Sequence, residues 1–374
     1  MLLTIVKFGF ESVSSLANSV SNLQKCSKTR KLTGPPWRIL FFGTDSFSLA
    51  SLKSLCAKLH TGTLISDLAI VSKAGTAVKK FGEEENLICH DWPLQPKEIA
   101  SKYDIGMVVS FGKLIPKDII ESFPLGCLNV HASILPRWRG ASPIIHAIMN
   151  GDFETGVTVM RIHPHKFDVG EIVRQYRIPI GPNETSEDLQ NRLAFHGAQL
   201  LMECIRDMPR CVEMAIPQPQ EGVTYAPKIN ASMSEVDWSK LSALEVYNLH
   251  RALSSIFPLK THWHGQSVKL ISLELDKELK KIDNEMRSSS QSALSFLNDG
   301  FEGVPKTTKI KKSDTNAGNL EFCKITKIIK VKCCDGNNVI VRTIRVGKKT
   351  ISAVDFFNGF MSKKSKEMWN FRST

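Results

Sequence analysis

Trp37-Arg38-Ile39-Leu40-Phe41-Phe42-Gly43-Thr44-Asp45-Ser46 decides the fold. A short apolar run that meets a glycine reads as a buried strand entering a tight turn. Asp45 or Ser46 supplies the cap for a helix from about Phe47 to Leu59. The same grammar recurs downstream. Leu68–Val71 is a second apolar run, followed by a helical stretch near Thr76–Glu85, and Ile105–Ser110 and Cys127–His131 are a third and a fourth. Strands alternating with helices predict βαβ units, a mostly parallel sheet and the α/β class. In such sheets ligands bind beyond the carboxyl ends of the strands. Gly156–Ile162 reads as a further strand, and Ser186–Asp207 has helical periodicity with Thr185 or Ser186 as its cap.

The segment Asp207–Lys228 carries Pro209, Pro217, Pro219 and Pro227 and reads as an extended interdomain linker. Beyond it the texture changes. Val268–Leu273, Ile328–Lys332 and Val339–Arg342 are short β-rich runs, and Asp335-Gly336-Asn337 supplies a hairpin turn. A small β-barrel is expected, interrupted by a polar, serine-rich mobile loop at about 276–318. The expected layout is therefore a leader at 1–36, a catalytic α/β domain at 37–207, a linker at 208–228 and a β-rich domain at 229–374.

The net charge of +12 is unevenly spread: +4 over residues 1–36, −1 over 37–229 and +9 over 230–374. A localised basic excess is the electrostatic footprint of a polyanion binder, although a solvated lysine-rich surface gives the same total. No apolar run approaches the ~18–20 residues of a membrane span, so no membrane association is expected. The nine cysteines include no Cys-x-x-Cys pair. That argues for reduced thiols and against a disulfide framework or a zinc site. The leader has Lys7, Lys25, Lys28, Arg30 and Lys31 against the single acid Glu11, a composition that suits a mitochondrial transit peptide and placement in the matrix. A disordered tail is the plainer alternative. No heptad or edge-strand signal suggests assembly, so a monomer is expected.

Gly43-Thr44-Asp45-Ser46-Phe47 is not the Gly-x-Gly-x-x-Gly fingerprint, which disfavours a nicotinamide enzyme. The strongest chemical signal is Asn129-Val130-His131-Ala132-Ser133-Ile134-Leu135-Pro136-Arg137-Trp138-Arg139-Gly140. Strand alternation puts Asn129 and His131 on one face, at a carboxyl end of the sheet. An amide donor beside an imidazole suits acyl-type transfer, one group meeting developing oxyanion charge and the other handling a proton. A bare Asn-x-His pair more often satisfies a local turn. His163-Pro164-His165 ahead of Asp168 could offer metal ligands, but the proline reads as loop and no fourth ligand is evident, so no metal is expected.

The run from Asn129 to Gly140 resembles the signature of the folate-dependent formyltransferases, and its Arg-Trp-Arg-Gly ending is typical of the members that act on methionyl-tRNA. Phe42-Gly43-Thr44, Val108–Gly112, Gly156–Met160, Phe167–Glu171, Tyr225–Ile229 and Val236–Trp238 are similar to further family stretches, in the right order. The resemblance spans roughly residues 38 to 360. It implies a Rossmann-like sheet followed by an OB-like barrel that contacts tRNA. It implies 10-formyltetrahydrofolate as formyl donor and initiator methionyl-tRNA as acceptor. By resemblance Asn129, His131 and Asp168 form the catalytic trio, and Ser133, Ile134, Leu135 and Pro136, with Val109 and Phe111, contact the folate. Asp168 beside His131 would favour the imidazolium.

Arg137 and Arg139 read either as contacts to the tRNA end or a folate carboxylate, or as arginines locking the loop. On the barrel, Lys330, Lys332, Arg342, Arg345, Lys348 and Lys349 are the candidate tRNA contacts. One departure stands out. The family carries a long basic loop after the second strand, whereas here Val71-Ser72 passes almost at once to Ala77-Val78-Lys79-Lys80. A variant transcript, compensation elsewhere and weakened activity all accommodate it. The alternatives are therefore a related formyltransferase acting on another amine, or a non-catalytic tRNA-binding protein.

Overall fold

Gly43 sits where the first strand becomes the first helix. A Cβ there would lie 2.8 Å from Phe41 Cε1 and from Ser48 Cβ, so only glycine fits the turn. β1 (Trp37–Gly43) feeds α1 (Ser46–Leu59) through a capping box: the Asp45 carboxylate accepts from Ser48 N, and the Ser48 hydroxyl accepts from Asp45 N. The chain continues through β2 (Ile65–Val71), α2 (Ala77–Glu84), β3 (Ile88–His90), β4 (Ile105–Val109) and β5 (Cys127–His131). After α3 (Pro143–Met149) come β6 (Glu154–Arg161), β7 (Ile172–Pro179) and the long α4 (Ser186–Asp207). This is a computed structural model, and it describes residues 32–295 and 316–372. The expected leader lies, up to residue 31, outside the described residues.

The sheet runs β3-β2-β1-β4-β5-β6-β7, parallel as far as β5 and antiparallel over β6 and β7. Periodicity misses the three-residue β3, and it misses β7 because its Arg-Gln-Tyr-Arg centre is half-exposed. One layer of the core gathers Leu40, Phe42, Val108, Phe111, Ile115 and Phe123. Each such side chain contributes about 1.5–3 kcal/mol by leaving water. On the other face α4 buries Leu189, Leu193, Ala194, Gly197, Leu201 and Cys204 at three- and four-residue spacings, the helical period. Trp37 Nε1 donates to Ile205 O at 3.0 Å and ties the end of α4 to the start of β1.

The second domain opens with α5 (Ala243–Leu253), capped by Ser242 and Glu245, then β8 (Leu259–Trp263) and β9 (Gln266–Leu275). The sequence predicts a mobile loop next; the structure instead holds α6 (Lys277–Ser295), and only 296–315 lies outside the described residues. What fixes α6 is polar rather than apolar. Asp283 and Arg287, each 3% exposed, pair at 2.9 Å, and Arg287 Nη1 reaches Asp152 O and Ile180 O while stacking over Phe153. The helix thus docks on the catalytic domain through Arg287, whose buried charge Asp283 meets one turn earlier on the same helix, an arrangement no hydrophobic period reveals. β10 (Leu320–Cys323), β11 (Ile328–Lys332), β12 (Asn338–Val346) and β13 (Lys349–Ser352) complete an antiparallel sheet of order β10-β11-β12-β9-β8, with β13 on β12. Bridges from Arg372 to His262 and from Asn370 to Asn319 link its two edges through the C-terminal residues.

The proline-rich stretch is also less free than its composition predicts. Ile216 exchanges backbone hydrogen bonds with Ile172, Ala226 pairs with Arg139, and the buried Gln218 turns inward. It is a strap bound to the catalytic domain. Among the described residues no helix is long and apolar enough to cross a membrane.

Candidate active site

β4 and β5 lie side by side, with Val108 opposite Asn129 and Val109 opposite Val130. Their carboxyl ends open into a cavity of about 500 Å³. Val108, Phe111, Ile115, Ile144, Met160 and Ile162 give it apolar walls, and Asn129, His131 and Asp168 supply polar groups. Lys113, Lys166 and Phe167 also line it.

His131 ends β5 and is buried. Its Nε2 lies 2.8 Å from Trp138 O, and a carbonyl can only accept, so that nitrogen carries a proton. Nδ1 faces Asp168 Oδ1 at 3.6 Å. Asp168 comes from the loop between β6 and β7 and sits at φ 56, a left-handed conformation that aspartate tolerates. Its other oxygen accepts from Gly140 N at 2.9 Å. Gln218 holds this loop from behind. Its Nε2 donates to Asp168 O and Gly170 O at 3.0 and 2.8 Å, and its Oε1 accepts from Arg139 Nε and Nη2 at 3.0 and 2.6 Å. Sequence reasoning misses Gln218, and its one signal is a glutamine flanked by Pro217 and Pro219, which hold it extended. The Asn129 amide has no hydrogen-bond partner among the described residues, although it faces the cavity. An unpaired amide at the mouth of a parallel strand is available to a ligand.

The expected folate contacts divide. Phe111 lines the cavity; Val109, Ser133, Ile134, Leu135 and Pro136 do not. Val109 is fully buried, and alternation gives the cavity Val108 instead. The Ser133 hydroxyl donates to Arg137 O at 2.6 Å, its carbonyl accepts from Thr158 Oγ1, and Leu135 N donates to Thr158 Oγ1. That loop turns toward β6 because its polar groups are satisfied there.

Arg137 and Arg139 are both engaged within the fold, by side-chain acceptors. Arg137 Nε donates to Asp152 at 2.8 Å and its guanidinium stacks 4.3 Å from the Trp138 ring centroid. Trp138 Nε1 donates to the same carboxylate at 2.7 Å. Asp152, 5% exposed, therefore fixes the turn whose Trp138 carbonyl orients His131. Asp152→Ala strands three donor nitrogens, Arg137 Nε and Nη2 and Trp138 Nε1, and is expected to cost about 3 kcal/mol of stability, read as a lower urea midpoint. A midpoint equal to the parent's would mean that solvent replaces the carboxylate.

The barrel cations divide as well. Lys330 lies 3.3 Å from Asp276, and Arg342 lies 2.7 Å from Glu274, holding that carboxyl below its usual range. Arg345 donates to Thr350, and Lys332 is half-buried. Lys348, in the turn after β12, and Lys349, the first residue of β13, are exposed. The shortened connection after β2 is closed: Ser72 Oγ lies 2.7 Å from both Gly43 O and Thr76 Oγ1, and Thr76 caps α2.

The model of the formyl transferase family matches residues 91–205, and that of the formyl transferase C-terminal domain matches 228–361. The mitochondrial methionyl-tRNA formyltransferase of Bos taurus is 37% identical over 335 residues, 87% of this chain and 78% of that protein. The Homo sapiens protein of the same name is 36% identical, over 90% of this chain and 81% of that one. The methionyl-tRNA formyltransferase of Paracoccus denitrificans is 35% identical over 64% of this chain. Among solved structures, the sugar 3N-formyl transferase WlaRD superposes with a TM-score of 0.56 at 18% identity, covering 82% of this chain and 98% of that one, a likeness of fold. With the strand order, the Asn129–Gly140 turn and relatives spanning most of both chains, this protein belongs to the methionyl-tRNA formyltransferase family.

Proposed function

We propose that the chain formylates the α-amino group of initiator methionyl-tRNA in the mitochondrial matrix, using 10-formyltetrahydrofolate. The carrying observation is the partner-free Asn129 amide beside the His131–Asp168 pair on one cavity wall. The cavity fits the donor: about 500 Å³ lies within the range of cofactor sites, and apolar walls with few polar groups suit a flat heterocycle. The lysine-rich leader and the mitochondrial relatives support the location.

When bound, the folate supplies an activated formyl carbon. The methionyl nitrogen bonds to that carbon, the carbon–N10 bond breaks, and one proton passes from the amine to N10. Asn129 donates a hydrogen bond to the formyl oxygen as negative charge builds there. His131 is already committed at Nε2 to Trp138 O, so Nδ1 is its exchanging atom. Nδ1 accepts the amine proton directly or through water, and Asp168 stabilises the imidazolium. Phe111 and Val108 exclude water around the reacting carbon. Lys348 and Lys349, exposed and without an acidic partner among the described residues, are the barrel residues best placed for tRNA phosphate; Lys330 and Arg342 already pair with Asp276 and Glu274.

The test is transfer by the full chain to initiator methionyl-tRNA, uncharged tRNA, glycinamide ribonucleotide and an amino-sugar nucleotide. Formyl-methionyl-tRNA as the sole product is expected. Transfer to a small amine alone would assign a related formyltransferase. Binding of tRNA without turnover would assign a non-catalytic binder that the closed Ser72–Thr76 turn has disabled.

A further inference from the structure

Cys56, His60 and Glu85 converge away from the cavity. Cys56 and His60 stand four residues apart at the end of α1 and so share one helix face. Glu85 is the C-cap of α2, brought alongside by packing of the two helices. Cys56 Sγ lies 3.8 Å from His60 Nε2 and 3.5 Å from Glu85 Oε2, and the imidazole and carboxylate are 3.5 Å apart. Asp45 and Phe47, at the other end of α1, line the cavity, so the cluster lies about 20 Å along the helix from it.

We propose that Cys56, His60 and Glu85 form a zinc site that staples α1 to α2. Three different donor types meet as one triangle. Zinc bonds of about 2.3 Å to sulfur and 2.0–2.2 Å to nitrogen and oxygen, at tetrahedral angles, put donors about 3.3–3.6 Å apart. The observed sides therefore need shifts of only a few tenths of an ångström. One sulfur, one imidazole and one carboxylate suit a borderline-soft ion, and water completes the tetrahedron. His60 keeps 63% of its side chain exposed, which leaves an entry path, while Cys56 is buried and fixed. The absence of a Cys-x-x-Cys pair does not bear on this site, because its ligands come from two helices.

Without metal the thiol donates to Glu85, and burial together with that carboxylate pushes Cys56 up to about 11. Zinc binding exchanges the thiol proton for a sulfur–zinc bond, and the proton leaves to buffer. Nothing is oxidised or reduced. The site is independent of the formyl-transfer reading, so a failure of either leaves the other intact.

The experiment is titration of the chelator-stripped full chain with Co(II), then Zn(II). One equivalent of Co(II) is expected to give a thiolate-to-cobalt charge-transfer band that Zn(II) displaces. Calorimetry in two buffers should show one proton released per zinc. Cys56→Ser should abolish the band and Cys89→Ser should keep it. His60→Ala and Glu85→Gln should each weaken zinc binding at least about tenfold, and the zinc-induced rise in Tm should vanish with them. These two exposed or half-buried positions keep the test decisive if Cys56→Ser does not fold. A band that survives Cys56→Ser, or unchanged zinc affinity in both His60→Ala and Glu85→Gln, overturns the site.

Discussion

Asn129→Ala is expected to lower kcat for formyl transfer by about 10²–10³-fold, the cost of one lost oxyanion donor. The amide has no partner among the described residues, so its removal breaks no structural hydrogen bond. Tm should therefore move little, and KM for methionyl-tRNA should stay near the parent value, because the bond to the formyl oxygen strengthens only as charge develops. Steady-state formylation with both substrates varied distinguishes the outcomes. A KM rise with kcat unchanged would make Asn129 a ground-state contact and remove it from the chemistry.

Asp168→Asn is expected to be at least as damaging, with kcat falling about 10²–10⁴-fold. The reason lies in the proton inventory of His131. Trp138 O already accepts from Nε2, so Nδ1 must accept the incoming proton. An asparagine can keep the bond from Gly140 N through its oxygen, which turns its NH2 toward Nδ1. That amide donates to the lone pair on which the mechanism depends and offers no charge to stabilise an imidazolium. The backbone bonds from Gln218 to Asp168 O and Gly170 O survive, so Tm should be preserved. Near-parental kcat for Asp168→Asn would show that proton transfer runs through solvent.

His131 and Asp168 lie 37 positions apart in sequence, yet the first was named by its strand and the second only by family resemblance. The difference is general in this chain. Asn129 and His131 were legible because alternation on β5 and the carboxyl-end rule locate them without any partner. Phe111 and Val109, by contrast, were named only by family resemblance, and of the two Phe111 lines the cavity.

The sequence by itself determined the strand–turn–helix units of the parallel sheet, the exact span of α4, the hairpin at Asp335–Asn337 and the concentration of positive charge beyond residue 229. These rest on local periodicity, caps and turn residues, which act over a few positions. Only the tertiary structure decided that Lys277–Ser295 is helical, that Gln218 braces the Asp168 loop, that Ser133–Pro136 turns toward β6 and that Arg137 is spent on Asp152. Each of those is a polar group satisfied by a partner distant in sequence. Burying a charge or an amide requires that partner, and no spacing along one element announces it.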